Sequence, residues 1–175
     1  TINSTPPTTD LVEIMLRDAA HIQAEDVAYK KKRHRREGRS GRFNDEPLFD
    51  IRDVERTVRL LRLTKYDQKQ SITDDISVVF REAGHILGSA MLEIEVEDEG
   101  VRRRVVFSGD IGQWDKPLIH DPTRFSQADY VVMASTYGDR DHEKAGDIEG
   151  QLERVINKTV RAGGNVVIPT FAVER

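Results

Sequence analysis

The chain has 175 residues, a hydrophobic share of 37%, a charged share of 33% and a formal net charge of −4, which suits one ordinary domain or a piece of a larger one, with a small core under a heavily charged surface. It contains no cysteine, so disulfides and cysteine-type zinc sites are excluded and any metal site must be built from His, Asp and Glu. Bulk acidity gives no support to a dedicated nucleic-acid-binding domain, which is usually basic. No apolar run approaches the roughly 20 residues that span a bilayer, and no secretory signal pattern is present. The expectation is a cytoplasmic protein with no membrane partner.

Residues 1–9 are rich in Thr, Pro and Ser and read as a loop. Asp10 is placed to cap a helix, with Glu13 as its capping-box partner. Leu11, Ile14, Met15, Ala19 and Ile22 follow at helical spacing, and this helix is expected to fade near Tyr29. Residues 30–36 are a basic run, Lys-Lys-Lys-Arg-His-Arg-Arg. Such a run neutralises phosphates, but it has no interleaved aromatics for base stacking, so it reads as a solvated helix end. Residues 37–47 carry Gly38, Gly41 and Pro47 and read as a loop. A second helix starts at Asp50, with Ile51, Val54, Val58 and Leu61 on one face, and ends near Leu63.

After Tyr66 the periodicity becomes that of strands. Residues 76–80 are β-rich. Residues 91–96 alternate apolar and charged, and residues 103–107 return after the turn at 97–100, which predicts an antiparallel hairpin. Pro117 and Pro122 lie in a long loop. Residues 130–133 read as a buried strand, and Ile148, Leu152, Val155, Ile156 and Val160 define a third helix that Gly163 and Gly164 stop. Val166, Val167 and Ile168 read as another buried strand, closing a right-handed βαβ unit. The chain opens on Thr1 and closes at a strand-to-loop junction, so it is expected to be a fragment.

Three loops beside strands are dense in chemistry. In residues 83–90, AGHILGSA, a histidine stands among glycines that permit tight turns and close approach. An ordinary surface-turn histidine has the same local sequence. In residues 107–112, FSGDIG, Asp110 lies just past an apolar strand, where carboxylates suit divalent metals and can bridge two of them. A turn aspartate capping the next segment looks the same. The third loop, 133–142, packs Ser135, Thr136, Tyr137, Asp139, Arg140, Asp141 and His142 directly after a strand. An ordinary polar loop is the plain alternative.

Taken in order, AGHILGSA, FSGDIG, STYGDRDH and IPTFAVER resemble the metallo-β-lactamase superfamily, and within it the β-CASP branch of RNA- and DNA-processing nucleases. The match is close over roughly residues 76–175 and looser over 9–70, which includes EPLF at 46–49. The resemblance implies an α/β fold, part of a four-layer αββα sandwich with a mixed sheet. Residues 1–165 would be the C-terminal half of the metallo-β-lactamase-like domain, and 166–175 the start of the junction into a β-CASP domain. It implies two zinc ions, with His85 as a histidine ligand and Asp110 as the bridging aspartate. It also implies phosphodiester hydrolysis by a metal-bound hydroxide, since zinc lowers the pKa of bound water to about 7. Ser135, Thr136, Tyr137, Asp139, Arg140 and His142 would line the substrate groove. RNA is the implied substrate, with single-stranded DNA a second candidate; oligomeric state is not implied.

Two departures bear on this. The family's His-x-His-x-Asp-His motif is absent, and His21, His34, His120 and His142 stand in unrelated contexts. A catalytic zinc usually needs three protein ligands, so the chain alone is expected to be inactive, with the motif lying before residue 1. Ala134 occupies the position where the branch has Glu or Asp. That change leaves a non-catalytic β-CASP-like scaffold subunit of an RNA-processing complex as an alternative, with a small-ester hydrolase on the same fold as a third reading. A half sandwich would also expose an apolar sheet face.

Overall fold

The computed structural model describes residues 1–41, 45–140 and 146–170. By its internal contacts the chain divides into two units, Thr1–Ala134 and Ser135–Arg175.

The opening of the first unit departs from the expected loop. Strand β1 (Ile2–Ser4) pairs in parallel with β2 (Leu61–Leu63), in the register Ile2↔Leu61 to Ser4↔Leu63. Between them, helix α1 runs from Pro6 to Glu37. It begins at two prolines rather than behind Asp10, because first-turn N–H groups have no intrahelical acceptor and proline there loses nothing. Thr5 is the N-cap, yet its hydroxyl donates to the Gly88 carbonyl at 2.7 Å, and the Thr8 hydroxyl joins it at 3.0 Å. The helix does not fade at Tyr29. It carries the whole basic run and stops at Gly38, whose φ of +64° is the left-handed conformation of a helix C-terminus. Cations in the last turn favour the negative end of the helix dipole.

Helix α2 (Ile51–Val58) starts as expected behind Asp50. The Asp50 carboxylate accepts from the Arg52 and Asp53 N–H groups, and the Asp53 carboxylate accepts from the Asp50 N–H. The helix ends before the expected Leu63, because Leu61–Leu63 is claimed by pairing with β1. Long-range pairing here overrides local helical spacing.

A mixed sheet follows in the order β3 (Gln70–Ser71), β4 (Ile76–Glu82), β5 (Ala90–Asp98), β6 (Val101–Phe107), β7 (Tyr130–Val132). Its first three pairings are antiparallel, and β6 with β7 is parallel. The expected hairpin is β5–β6, closed at Asp98↔Val101 by Glu99 and Gly100, both at positive φ. The fold class is therefore α/β with a mixed sheet. Among the described residues, no helix is long and apolar enough to cross a membrane.

Alternation along β5 sends Met91, Glu93 and Glu95 to one face and Leu92, Ile94 and Val96 to the other. Glu93 is buried, at 6% exposure, between Arg81 at 2.7 Å and Arg104 at 3.0 Å. Glu95 extends the chain of charges to Arg104 and Lys69, and the Lys69 ammonium holds the Glu95 carboxyl below the usual carboxylate range. A buried carboxylate must be paired, and here strands β4 and β6 each supply one guanidinium.

Strand β7 forms where expected but is not buried. Tyr130, Val131 and Val132 are 56%, 59% and 52% exposed, because the side chains of this edge strand are uncovered on both faces of the sheet. The apolar face is correspondingly open at Phe107, Tyr130 and Val132.

In the second unit, α3 (Ile148–Arg161) forms as expected, with the Asp147 carboxylate accepting from the Gly150 N–H. The chain turns out of it at Gly163, at positive φ. The βαβ unit does not form. Val166, Val167 and Ile168 are not a strand and are exposed, Val167 at 85%. Their β-branched, apolar character is a strand signal only when a neighbouring strand pairs with them, and no described strand does.

Removing the Glu93 carboxylate leaves Arg81 with only Asp67 and Arg104 with only Glu95 as ion-pair partners at a half-buried position. Glu93→Ala is expected to destabilise the fold by about 2 kcal/mol, below the 3–5 typical of fully buried pairs because both arginines reach solvent. Urea unfolding checks this; an unchanged midpoint would mean the three-strand charge network contributes nothing.

Candidate metal centre

Strands β4 and β6 are each antiparallel to β5 and therefore point the same way. Their C-terminal loops emerge at one end of the sheet. His85 follows β4 by three residues, Asp110 follows β6 by three, and parallel β7 delivers Ala134 to the same end. Sheet direction alone thus gathers three positions that are far apart in sequence.

The loops then touch backbone to backbone. The Gly112 N–H donates to the Ala83 carbonyl at 2.9 Å. A Cβ on Gly112 would lie 1.5 Å from the Gly84 carbonyl oxygen and 2.6 Å from the His85 nitrogen, so only glycine fits. The histidine loop is also closed from within. The Ser89 hydroxyl oxygen accepts from the His85 and Ile86 N–H groups at 3.2 Å each, and the Ser89 N–H returns to the Ile86 carbonyl at 3.0 Å. The Tyr66 hydroxyl donates to the Ser89 carbonyl at 2.9 Å, and burial pushes the Tyr66 phenol above its ordinary range. Beneath the loop, Gly88 at φ +89° lies so close to α1 that a Cβ would be 2.7 Å from the Thr8 hydroxyl oxygen.

This framework sets His85 Nε2 3.9 Å from Asp110 Oδ2, with the two side chains 44% and 69% exposed. That separation is too long for a hydrogen bond. With bonds of about 2 Å to each donor, a shared cation would see them at an angle of roughly 150°, wider than the tetrahedral angle zinc prefers, so the pair must close slightly to hold one. The donor set is mixed nitrogen and oxygen, which zinc accepts. The fit is partial: among the described residues, no group of three His, Cys, Asp or Glu converges. His21 lies beside Glu25 and His34 beside Asp45.

Ala134 is tied to the aspartate loop. Buried Ser108 donates its hydroxyl to the Gly109 carbonyl at 2.6 Å and accepts the Ala134 N–H at 3.2 Å, while its own N–H bonds the Val132 carbonyl at 2.9 Å. A methyl at this position offers neither charge nor hydrogen bond to the aspartate loop.

The expected groove residues fall in the second unit. Ser135 accepts the Gly138 N–H at 3.0 Å in a tight turn, and Thr136 lies within it. Arg140 pairs with Asp139 at 3.0 Å, with its guanidinium 6.0 Å from the Tyr137 ring centre. His142, with Asp141, lies outside the described residues. The positioning residues Gly112, Ser89, Ser108, Thr5 and Thr8 were not singled out from sequence. Ser89, Ser108 and Gly112 lie in the short strings around the two donors, whereas Thr5 and Thr8 lie in the stretch that reads as a loop.

The chain is 34% identical over 174 residues to ribonuclease TTHA0252 of Thermus thermophilus, a match covering 99% of this chain and 34% of that protein. It is 32% identical over 175 residues to transcription termination factor FttA of Methanothermobacter thermautotrophicus, covering 98% and 24%. It is 32% identical over 133 residues to cleavage and polyadenylation specificity factor subunit 3 of Dictyostelium discoideum, covering 75% and 16%. The chain therefore spans about a third or less of these relatives. No family model matches it.

Gly112→Ala is expected to force the two loops apart and cost about 3 kcal/mol, at the upper end for overpacking. Thermal unfolding measures the cost. Unchanged stability would mean that the Gly84–Gly112 contact does not hold the site together.

Proposed function

This chain belongs to the β-CASP branch of the metallo-β-lactamase superfamily, and we propose that the whole protein is a zinc-dependent RNA nuclease. The observation that carries the proposal is the convergence of His85 Nε2 and Asp110 Oδ2 at the shared end of β4 and β6. In this reading the mixed sheet is one layer of a four-layer αββα sandwich, and residues 1–165 belong to its metallo-β-lactamase-like domain. His85 and Asp110 hold the metal, and the remaining ligands come from outside the described residues. Zinc ions bound there would supply Lewis acidity and a nucleophile at neutral pH.

The chain's own contribution is positional. Ser89 and Gly112 fix the backbone of the histidine loop, and Ser108 ties the start of the aspartate loop to the end of β7. Ser135, Thr136, Tyr137, Arg140 and His142 are the proposed groove residues. The relatives named ribonuclease, termination factor and cleavage factor support RNA rather than a small ester as substrate. Single-stranded DNA is the competitor to measure.

His85→Ala and Asp110→Ala in the whole protein are each expected to lower RNA cleavage more than about 100-fold, since groups that merely orient ligands already cost about 10–100-fold. Bound zinc, measured by mass spectrometry, should fall with it. Unchanged cleavage in Asp110→Ala would sink the assignment.

A second reading, a non-catalytic scaffold subunit, is favoured by one observation, the methyl of Ala134 on a backbone tied to the aspartate loop. Ala134→Asp separates the two. An enzyme tuned down by this residue should gain about 10-fold or more in cleavage. Absence of cleavage both before and after the substitution identifies the scaffold.

A further inference from the structure

We propose that the last two turns of α1 bind the sugar–phosphate backbone of single-stranded RNA, at a surface distinct from the His85–Asp110 end of the sheet. The choice of polymer rests on the nuclease reading; the surface itself rests on α1.

The helix continues through the basic run instead of fading before it, and this decides the geometry. Lys31, Lys32, Arg35 and Arg36 stand at i, i+1, i+4 and i+5, which places all four on one helix face. All four are exposed. Among the described residues none of them has an ion-pair partner; nearby Glu37 is taken by Arg39 and Asp45 by His34. The His34–Asp45 contact, 2.9 Å long and largely buried, occupies the other face, as does the Leu48 N–H bond to Gln23 at 2.8 Å. The cations are thus left pointing away from the protein. Like charges at i, i+4 weaken a helix, and a polyanion relieves that repulsion.

An aromatic ring belongs to the same surface. Tyr29 is 65% exposed and precedes Lys32 by three residues and Arg36 by seven, so ring and cations form a stripe along the helix. Linear sequence places Tyr29 outside the run, but a continuous helix places it alongside. A basic track with a stacking ring is the recognition chemistry of single-stranded nucleic acid. A membrane surface would need an apolar face beside the charges, and residues 30–37 contain no apolar side chain.

The location makes it a second contact and not part of the catalytic end. Thr8, at the start of α1, is bonded to the Gly88 carbonyl beside the histidine loop. Lys32 lies 24 residues further along, about 36 Å at 1.5 Å per residue. Only RNA long enough to span that distance engages both.

The test is fluorescence anisotropy of a labelled single-stranded oligoribonucleotide on the whole protein across a salt series, comparing wild type with K31Q/K32Q/R35Q/R36Q and with Tyr29→Ala. Each lost phosphate contact removes about 0.7 from the slope of log affinity against log salt, so the quadruple variant should lose about 3. Its Kd should rise about tenfold or more near 0.1 M salt, and Tyr29→Ala should weaken binding about fivefold or more with the slope unchanged. Cleavage of a short oligonucleotide should be unaffected in both. Unchanged Kd and slope in the folded variants overturn the proposal while leaving the nuclease reading standing. A patch-dependent affinity for phosphatidylserine vesicles, with RNA affinity unchanged, also overturns it. Loss of RNA affinity in a protein that cleaves no RNA supports the surface and removes the nuclease reading.

Discussion

The Gly112 N–H bond to the Ala83 carbonyl is the contact on which the candidate site depends. It joins the loop after β4 to the loop after β6 without using a side chain, so the two donors need only project from backbones that already touch. The sheet brings these loops to within reach, since β4 and β6 run in the same direction on either side of β5. The glycine removes the last obstacle, because any Cβ there would overlap the Gly84 carbonyl. The candidate site is set by main-chain geometry, and His85 and Asp110 inherit their spacing from it.

Helix α1 extends this logic in the other direction. Its first turn is anchored by two threonine hydroxyls that accept the task of satisfying the Gly88 carbonyl. That choice leaves Thr5 without an intrahelical cap bond. Two prolines compensate by demanding no acceptor in the first turn. The result is a helix whose start is held at the histidine loop while its basic end projects far from it. The same element therefore buttresses one end of the sheet and carries a separate, oppositely used surface.

Much of the sheet and the candidate site was legible in the sequence, and the physical reasons are specific. The alternation of residues 91–96, the turn at 97–100 and the Asp50 cap are local signals; the strand and the cap formed as expected, and the turn narrowed to Glu99–Gly100. His85 and Asp110 were singled out from their loops, and the structure brings them together. What failed was non-local. Leu61–Leu63 has helical spacing with Val58, yet pairing with Ile2–Ser4 makes it a strand. Val166–Ile168 has strand composition but finds no described strand to pair with. Asp10 looked like a cap because the threonine bonds to Gly88, 80 or more residues away, leave no trace in the local pattern. Gly112 is the sharpest case: one residue of FSGDIG, it gives no sign in sequence that its partner is Gly84.

Ala134 shows how strongly position can constrain a role even where chemistry is missing. Its backbone is bound to Ser108, and Ser108 is bound in turn to Val132 and Gly109, so residue 134 is held beside the aspartate loop whatever side chain it bears. A carboxylate at that point would sit among polar loops at the open end of the sheet, where hydration keeps the cost of its charge low. It would add negative charge beside the aspartate loop. Alanine withholds that charge without disturbing the backbone that would present it. The framework for a more acidic centre is therefore intact in this chain, and one side chain separates it from that state.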